Sequence, residues 1–426
     1  MTRFVCLAAA LLAAAPALAQ TAPPLSLRDA EARALQNHPQ ILAGQYTAQA
    51  AAEITREARS AYFPTVYGSV TGAEAEDGSR SAAGGRNNPI ILDRAAAGVS
   101  VSQLVTDFGR TSSLVQTASL RAQSMQQSAV VDRADVLLRV DRAYFAALRA
   151  QAILRVAADT VAARQLVADQ VGALAQSHLK SGLDVSFAKV NLSEAQLLLL
   201  QARNDQAAAF ATLAAALGQA DAPAYLLTEE PLPPAPPPDD QAVVAQALRE
   251  RPDVAGERLA RESAAKFADA ERALWFPTIS AVGAAGLAPL RQASLNPNYS
   301  AVGINVSVPL TNGNLFAARH TEASLRASAA GEHLRDLENR VTRDVRVALL
   351  DARSAFQRLD LTNQFFDQAS QAQDLAEARY NLGLSSIVEL TQAQLNKTRA
   401  EIEQASARYD YLTRMAALRY QTGSLK

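Results

Sequence analysis

The sequence predicts a mainly α-helical protein built by tandem duplication, carrying short strand pairs with the dimensions of outer-membrane β-barrel strands. Three observations point there. The first is self-similarity: Ala34-Leu35 through Pro39, then Ala58-Arg59-Ser60-Ala61-Tyr62-Phe63-Pro64-Thr65-Val66, recurs as Ala247-Leu248 through Pro252, then Glu271-Arg272-Ala273-Leu274-Trp275-Phe276-Pro277-Thr278-Ile279, with Leu35 and Leu248, Pro39 and Pro252, Phe63 and Phe276 each 213 residues apart. The second is two stretches, Thr111 to Ser177 and Leu315 to Asn381, without proline and with only Gly172 or Gly331 inside. The third is a pair of short, alternating segments ahead of each long stretch.

The elements follow in order. Met1 to Gln20 has one Arg, an apolar run from Phe4 to Ala15, and Ala17-Leu18-Ala19, the pattern of a secretory signal over residues 1–19. The single cysteine, Cys6, falls inside it, so the chain expected after cleavage has no disulfide or thiolate chemistry. The first repeat occupies 20–230. A helix is expected over 27–60, broken early at Pro39 and ended by Phe63-Pro64. Strands follow at 63–73 and 95–107, around a polar loop from Glu74 to Asn88.

A helical hairpin over 110–218 completes this repeat. Its seam of Leu137, Val140, Tyr144, Ala147 and Leu154 has coiled-coil spacing. Pro231 to Pro238 is an extended connector that neither helix nor central strand accepts. The second repeat, 239–426, predicts a helix at 239–273, strands at 276–288 and 299–311 around a loop with Pro289, Asn296 and Pro297, and a hairpin at 314–421. Its seam is Val345, Leu349, Ala352, Phe356 and Leu359. At ~1.5 Å per residue each long helix reaches roughly 100 Å. Gly182 and Gly383, each followed by leucine and 201 residues apart, are the expected reversal points.

No run of ~18 apolar residues follows the signal, so a membrane crossing has to be made by a closed barrel. Four strands cannot close one, because outer-membrane barrels start at ~8. Either the strands lie outside a membrane or several protomers pool them, and head-to-tail cyclic assembly as a homotrimer would give twelve strands and twelve long helices. The net charge of −1 in 426 residues argues against nucleic acid as the partner. With 49% hydrophobic but only 5% aromatic residues, Ala and Leu supply most apolar surface, which suits close-packed helices.

The signal, the duplication, the Phe-Pro-Thr before each strand pair, and Ser181-Gly182-Leu183-Asp184-Val185 with Tyr380-Asn381-Leu382-Gly383-Leu384-Ser385-Ser386-Ile387-Val388-Glu389 together resemble the TolC family. The resemblance covers essentially the whole mature chain. It implies a 12-stranded barrel on a 12-helix periplasmic tube, an exit duct for a tripartite efflux pump or type I secretion system, and localisation to the outer membrane with a large periplasmic domain. The implied partners are outer-membrane lipid, a periplasmic adaptor (membrane fusion) protein and an inner-membrane RND or ABC transporter.

The resemblance also implies a periplasmic gate. Glu389 matches the first acidic gate position, while Gln392 replaces the second acid. Ser385 stands where the family has a basic latch residue, and Ala188 where it has that residue's partner, so the latch differs here. Tyr380 belongs to the same neighbourhood. Three Glu389 side chains ringing the entrance would favour cations, although a solvated helix charge also accounts for this residue. Gly182, Leu183, Gly383 and Leu384 at the tips are implied to meet the adaptor. Phe63, Pro64, Phe276 and Pro277 are read as helix-to-strand corners, with the aromatics at the membrane interface.

His38, His178, His320 and His333 lack metal-ligand spacing, and there is no nucleophile elbow, phosphate loop or dinucleotide fingerprint. Neither a cofactor nor catalysis is expected. The rivals are a periplasmic coiled-coil scaffold or adaptor without a barrel, and a periplasmic enzyme; both would be water-soluble.

Overall fold

The computed structural model describes residues 24–73, 94–220, 225–290 and 296–425. The expected signal at 1–19, the polar loop from Glu74 to Asn88 and the centre of the loop after Pro289 lie outside them. The first half runs β1 (Pro24–Leu25), α1 (Leu27–Asn37), α2 (Pro39–Ser60), β2 (Thr65–Ala73), β3 (Arg94–Thr106), α3 (Arg110–Gln176) and α4 (Gly182–Ala216). The second begins inside the span expected for the first repeat, with β4 (Leu226–Leu227), and continues with α5 (Asp240–Glu250), α6 (Pro252–Arg272) and its closing 3-10 turn (Ala273–Trp275), β5 (Thr278–Leu290), β6 (Asn298–Ser307), α7 (Leu315–Asn381) and α8 (Ile387–Gln421). Both halves therefore repeat the same sequence of elements.

Local chemistry sets the boundaries. His38 and Arg251 precede prolines and are extended, so each leading helix breaks there. Pro39 and Pro252 then start α2 and α6, where a missing N–H costs nothing. The break at Arg251 was not part of the expected single helix 239–273. Strand β6 ends at Ser307 instead of residue 311, because Pro309 has no ladder donor. The two-residue strands β1 and β4, parallel to one another, leave no trace in the sequence because two residues carry no periodicity.

The four longer strands form one antiparallel sheet in the order β2-β3-β5-β6. In register, Val66 opposes Val101, Gly68 opposes Val99 and Ala281 opposes Ile304, so one face presents Val66, Val70, Val99, Val101, Val302, Ile304 and Val306. All seven are exposed, Val302 to 94%. The opposite face alternates Thr65, Tyr67, Ser69, Ser100, Ser102 and Asn305. The sheet thus has an apolar face with nothing from the described residues upon it.

Helices α3 and α7, 67 residues each, run away from the sheet and return as α4 and α8, 35 residues each. Of the expected seams, Leu137, Val140, Tyr144, Ala147, Val345, Leu349 and Ala352 are buried. Leu154 and Leu359 are half-buried, while Phe356 is exposed and lies 5.4 Å from the Tyr411 ring. Helices α3 and α6 approach closely through small residues: Ser124 Oγ donates to the Gly256 carbonyl at 2.9 Å, and Ser263 Oγ to that of Thr117 at 2.9 Å.

A belt partway down the helices ties both halves together. The Tyr144 hydroxyl lies 2.8 Å from the Leu25 carbonyl and 2.7 Å from that of Thr228, donating its one proton to either, so α3 holds β1 and β4 at once. The proline connector is strapped down by the Tyr411 hydroxyl on the Pro234 carbonyl at 2.7 Å and by Arg353 on that of Pro237 at 2.7 Å. Gly218 and Gly423, both at positive φ, end α4 and α8 against the proline breaks: a Cβ on Gly218 would stand 3.0 Å from His38 Cα, and one on Gly423 2.9 Å from the Arg251 nitrogen.

Within this belt Asp141 is fully buried. Arg419 donates to Oδ2 at 3.1 Å, while Oδ1 has no partner. Burial first, then the neighbouring Glu31 carboxylate, pushes Asp141 from 3.8 up to about 8, against the pull of Arg419. A folded-state value above the ordinary one means that this group's stabilisation is complete below pH 3.8 and lost as pH rises through about 8. In detergent-solubilised protein, the unfolding midpoint of the wild type relative to Asp141→Asn is expected to fall between about pH 4 and 8 and to level off above. A pH-independent difference would show that Asp141 is ionised throughout.

Candidate functional site: the hairpin tips

The two hairpin tips close in the same way on different residues. Helix α3 ends where the Leu179 N–H donates to the Leu174 carbonyl at 2.9 Å and the His178 N–H to that of Ala175 at 3.0 Å. Helix α7 ends with Leu384 N–H on the Arg379 carbonyl at 2.8 Å and Gly383 N–H on that of Tyr380 at 3.0 Å. Both are glycine-type helix stops, with Gly383 at φ 73° and His178 at φ 59°. Gly182 is therefore not the reversal residue expected; it lies in the first turn of α4, behind the Ser181 cap. His178 makes the turn although it carries a side chain.

Serine starts each return helix. The Ser181 hydroxyl accepts from Asp184 N–H at 3.2 Å, and the Asp184 carboxylate accepts from Ser181 N–H at 3.0 Å, a reciprocal capping box. The Ser386 hydroxyl accepts from Glu389 N–H at 3.3 Å. Structurally, then, Ser181 corresponds to Ser386 and Asp184 to Glu389, about four residues out of step with the two Gly-Leu pairs. The acidic residue in each first turn also suits the positive end of the helix dipole.

Glu389 turns its carboxylate away from the cap. Arg379 Nε, in the last turn of α7, donates to it at 3.1 Å, and both side chains are about half exposed, at 53% and 47%. Gln392, one turn on, donates to Asn396 Oδ1 at 3.2 Å. Tyr380 is buried, with the Lys180 ammonium 3.8 Å from its ring centroid and its hydroxyl without a partner. Ser385 also has a buried, unpartnered hydroxyl, and Ala188 is buried beneath.

An apolar plug joins the hairpins above the turns: Val171, Ala188, Ala376, Tyr380, Ile387 and Leu390 pack together. Beside it, Asn191 Nδ2 donates to Thr391 Oγ1 at 2.9 Å. Leu183 and Leu384 are each 66% exposed, and Leu179 and Leu382 stand out beside them. Sequence reasoning missed these two, and also Lys180 and Arg379. A leucine flanking each turn was the available signal for the first pair. The tertiary pairing of Lys180 with Tyr380 left none.

The corner residues gather at the other end of the long helices. Phe63 and Phe276 are exposed, Phe276 lies 5.9 Å from Phe108, and Trp275 lies 5.8 Å from Phe316, all where helix meets sheet. Among the described residues no His, Cys, Asp and Glu side chains converge as a metal site. His38 instead caps α2, its Nδ1 accepting from Gln40 N–H at 3.2 Å, and burial followed by Arg139 lowers its pKa.

The family profile described as "Outer membrane efflux protein" matches residues 32–219 and 243–424. The outer membrane protein TolC of Vibrio cholerae is 23% identical over 400 residues, 92% of this chain and 89% of that protein. That of Salmonella enteritidis is 26% identical over 130 residues, so the match spans only 26% of that relative. A membrane protein from Pseudomonas aeruginosa shares the fold with a TM-score of 0.81 at 20% identity, covering 93% of each chain.

Replacing His178 with glycine removes the left-handed strain of a side-chain-bearing residue. Chemical denaturation is expected to show a gain of about 1 kcal/mol. Ser386→Ala, which strips the cap from α8, is expected to cost about 1 kcal/mol. Equal stabilities would mean that the turns are remodelled in the assembled protein.

Proposed function

The chain belongs to the outer membrane efflux protein family, and on that premise we propose that it is the outer-membrane exit duct of a tripartite efflux pump or type I secretion system. The observation that carries this reading is the exposed apolar face of a four-stranded sheet mounted on 67-residue helices. A scaffold or adaptor that stays in water has no use for such a face. Lipid does, provided that the sheet's edge strands β2 and β6 find partners, since backbone groups unpaired in hydrocarbon cost several kcal/mol each.

Three copies meet that requirement. Pairing β6 of one protomer with β2 of the next makes a twelve-stranded barrel with the valine face outward and the Thr, Ser and Asn face inward. The same operation rings the hairpins into a periplasmic tube, with residues 1–19 removed on export. The aromatic corners at Phe63, Trp275 and Phe276 mark the inner interface of the membrane. At the far end, the tip leucines Leu183 and Leu384 offer an apolar landing for a periplasmic adaptor, and behind it an RND or ABC transporter.

Glu389 is the pore-entrance acid in this reading, and Arg379 its local counter-charge. An exposed pair of this kind is worth at most about 1 kcal/mol, so the carboxylate remains available to passing cations. Ser385 and Gln392 supply no second charge. The gate is held by apolar packing and the Lys180–Tyr380 contact rather than by a charged latch.

Light scattering on particles extracted from the outer-membrane fraction is expected to give the protein mass of three mature chains; a soluble monomer would return the protein to the scaffold class. In planar bilayers, Glu389→Gln is expected to lower the cation-to-anion permeability ratio of the pore severalfold. An unchanged ratio removes Glu389 from the entrance.

A further inference from the structure

Between the apolar plug and the belt the packing of the two hairpins turns polar and is interrupted by open space. A cleft of about 650 Å³ separates α3 from α7 above α8, with Asp159 and Glu401 on its walls. These two carboxylates also border a smaller cavity of about 190 Å³, whose floor is Arg164, Lys397, Gln373 and Gln394. Asp159 and Glu401 thus stand where the small cavity meets the large one.

Arg164 is the anomaly. It is only 5% exposed, and its NH1 nitrogen is buried with no hydrogen-bond partner. Burial lowers its pKa, against the weaker pull of Glu194 on α4. Neither Arg164 nor Lys397 belongs to an ion pair among the described residues. A buried unpaired guanidinium is among the more expensive groups a protein can hold. The hydroxyls nearby do not relieve it: Thr160 donates to the Val156 carbonyl at 2.7 Å and Thr398 to that of Gln394 at 3.1 Å, and a hydroxyl oxygen accepts only one further bond comfortably.

What remains on the floor is a convergent set of donors, Arg164, Lys397 and the two glutamine amides, contributed by α3, α7 and α8. We propose that this cavity is a binding site for a small oxyanion, phosphate or a simple carboxylate, which neutralises Arg164 and joins three helices where apolar packing is missing. The cavity is roomy enough for one such ion together with water. Asp159 and Glu401 line the same cavity and offset the two cations, so the ion is held by hydrogen bonds from the floor donors rather than by a net positive field. The inference is independent of the channel reading, because every donor lies within one protomer.

The test uses the full chain in mild detergent, with inorganic phosphate compared against chloride at matched pH and ionic strength. Phosphate is expected to raise the wild-type unfolding midpoint by about 2–4 °C along a saturating curve. The shift is expected to disappear in Arg164→Met and in Lys397→Met. In chloride alone Arg164→Met is expected to unfold no earlier than wild type, because methionine removes the unpaired charge and keeps the apolar stem. A shift of equal size in wild type and in Lys397→Met, a linear response without saturation, or no wild-type shift each overturns the proposal. Lys397→Met alone decides should Arg164→Met fail to assemble.

Discussion

The unpaired edges of the sheet are the constraint on which the rest of the molecule depends. Strands β2 and β6 each present a row of backbone donors and acceptors, and the face between them is valine and isoleucine. In water the face is the liability, and in lipid the edges are. Pairing edge to edge around a ring of copies, as proposed above, would satisfy both. Away from the sheet the strand ends pass abruptly into helix. Phe108 and Gly109 make the passage in the first half, Gly313 and Asn314 in the second. All four take positive φ, which turns each chain from strand to helix within two residues.

The helices solve a different problem. A helix of 67 residues exposes far more surface than neighbours in one protomer cover, and here the contacts that exist are made by small side chains. Ala118, Ala122, Ser124 and Gly256 let α3 and α6 approach until serine hydroxyls reach across to backbone carbonyls. Large side chains concentrate in the belt, where Tyr144, Phe145, Leu213 and Leu217 pack with Leu25 of β1 and with Tyr225 and Leu227 at β4. The belt is where the duplication is knitted into one body, since β1 from one half pairs with β4 from the start of the other.

Much of this is legible in the sequence, for identifiable reasons. Proline and glycine punctuation is local, so Pro64, Pro277 and the connector prolines mark boundaries without any knowledge of partners. The duplication doubles each signal. At the hairpin tips the repeated Gly-Leu outweighs the caps and puts the alignment out of step, whereas Ser181 and Ser386, with acids three residues on, are the structural correspondence. A histidine in a left-handed turn has no sequence signature, as nothing about His178 disfavours helix strongly. Asp141, Arg164 and the Lys180–Tyr380 contact are invisible for a deeper reason. Each draws its meaning from burial by segments far away in the chain, and a charged residue in a helical run otherwise reads as solvated surface.

The tip contacts differ in strength, and the ranking says which of them governs the hairpins. Fully burying a valine, leucine or isoleucine is worth about 1.5–3 kcal/mol, so Val171, Ile387 and Leu390 outweigh a cation–π contact of about 0.5–1 kcal/mol and an exposed ion pair of at most about 1. The alanines beside them, Ala188 and Ala376, add close approach and little area. Above this plug the interface turns polar and opens into the cleft. The hairpins are therefore held at two places, the plug and the belt, with a span between them that resists shear weakly. Displacing the tips requires only the plug to yield, whereas displacing the belt would break the Tyr144 and proline-strap hydrogen bonds together with the largest apolar cluster. Any movement of the tips is thus a local matter, bounded above by the belt and independent of the sheet.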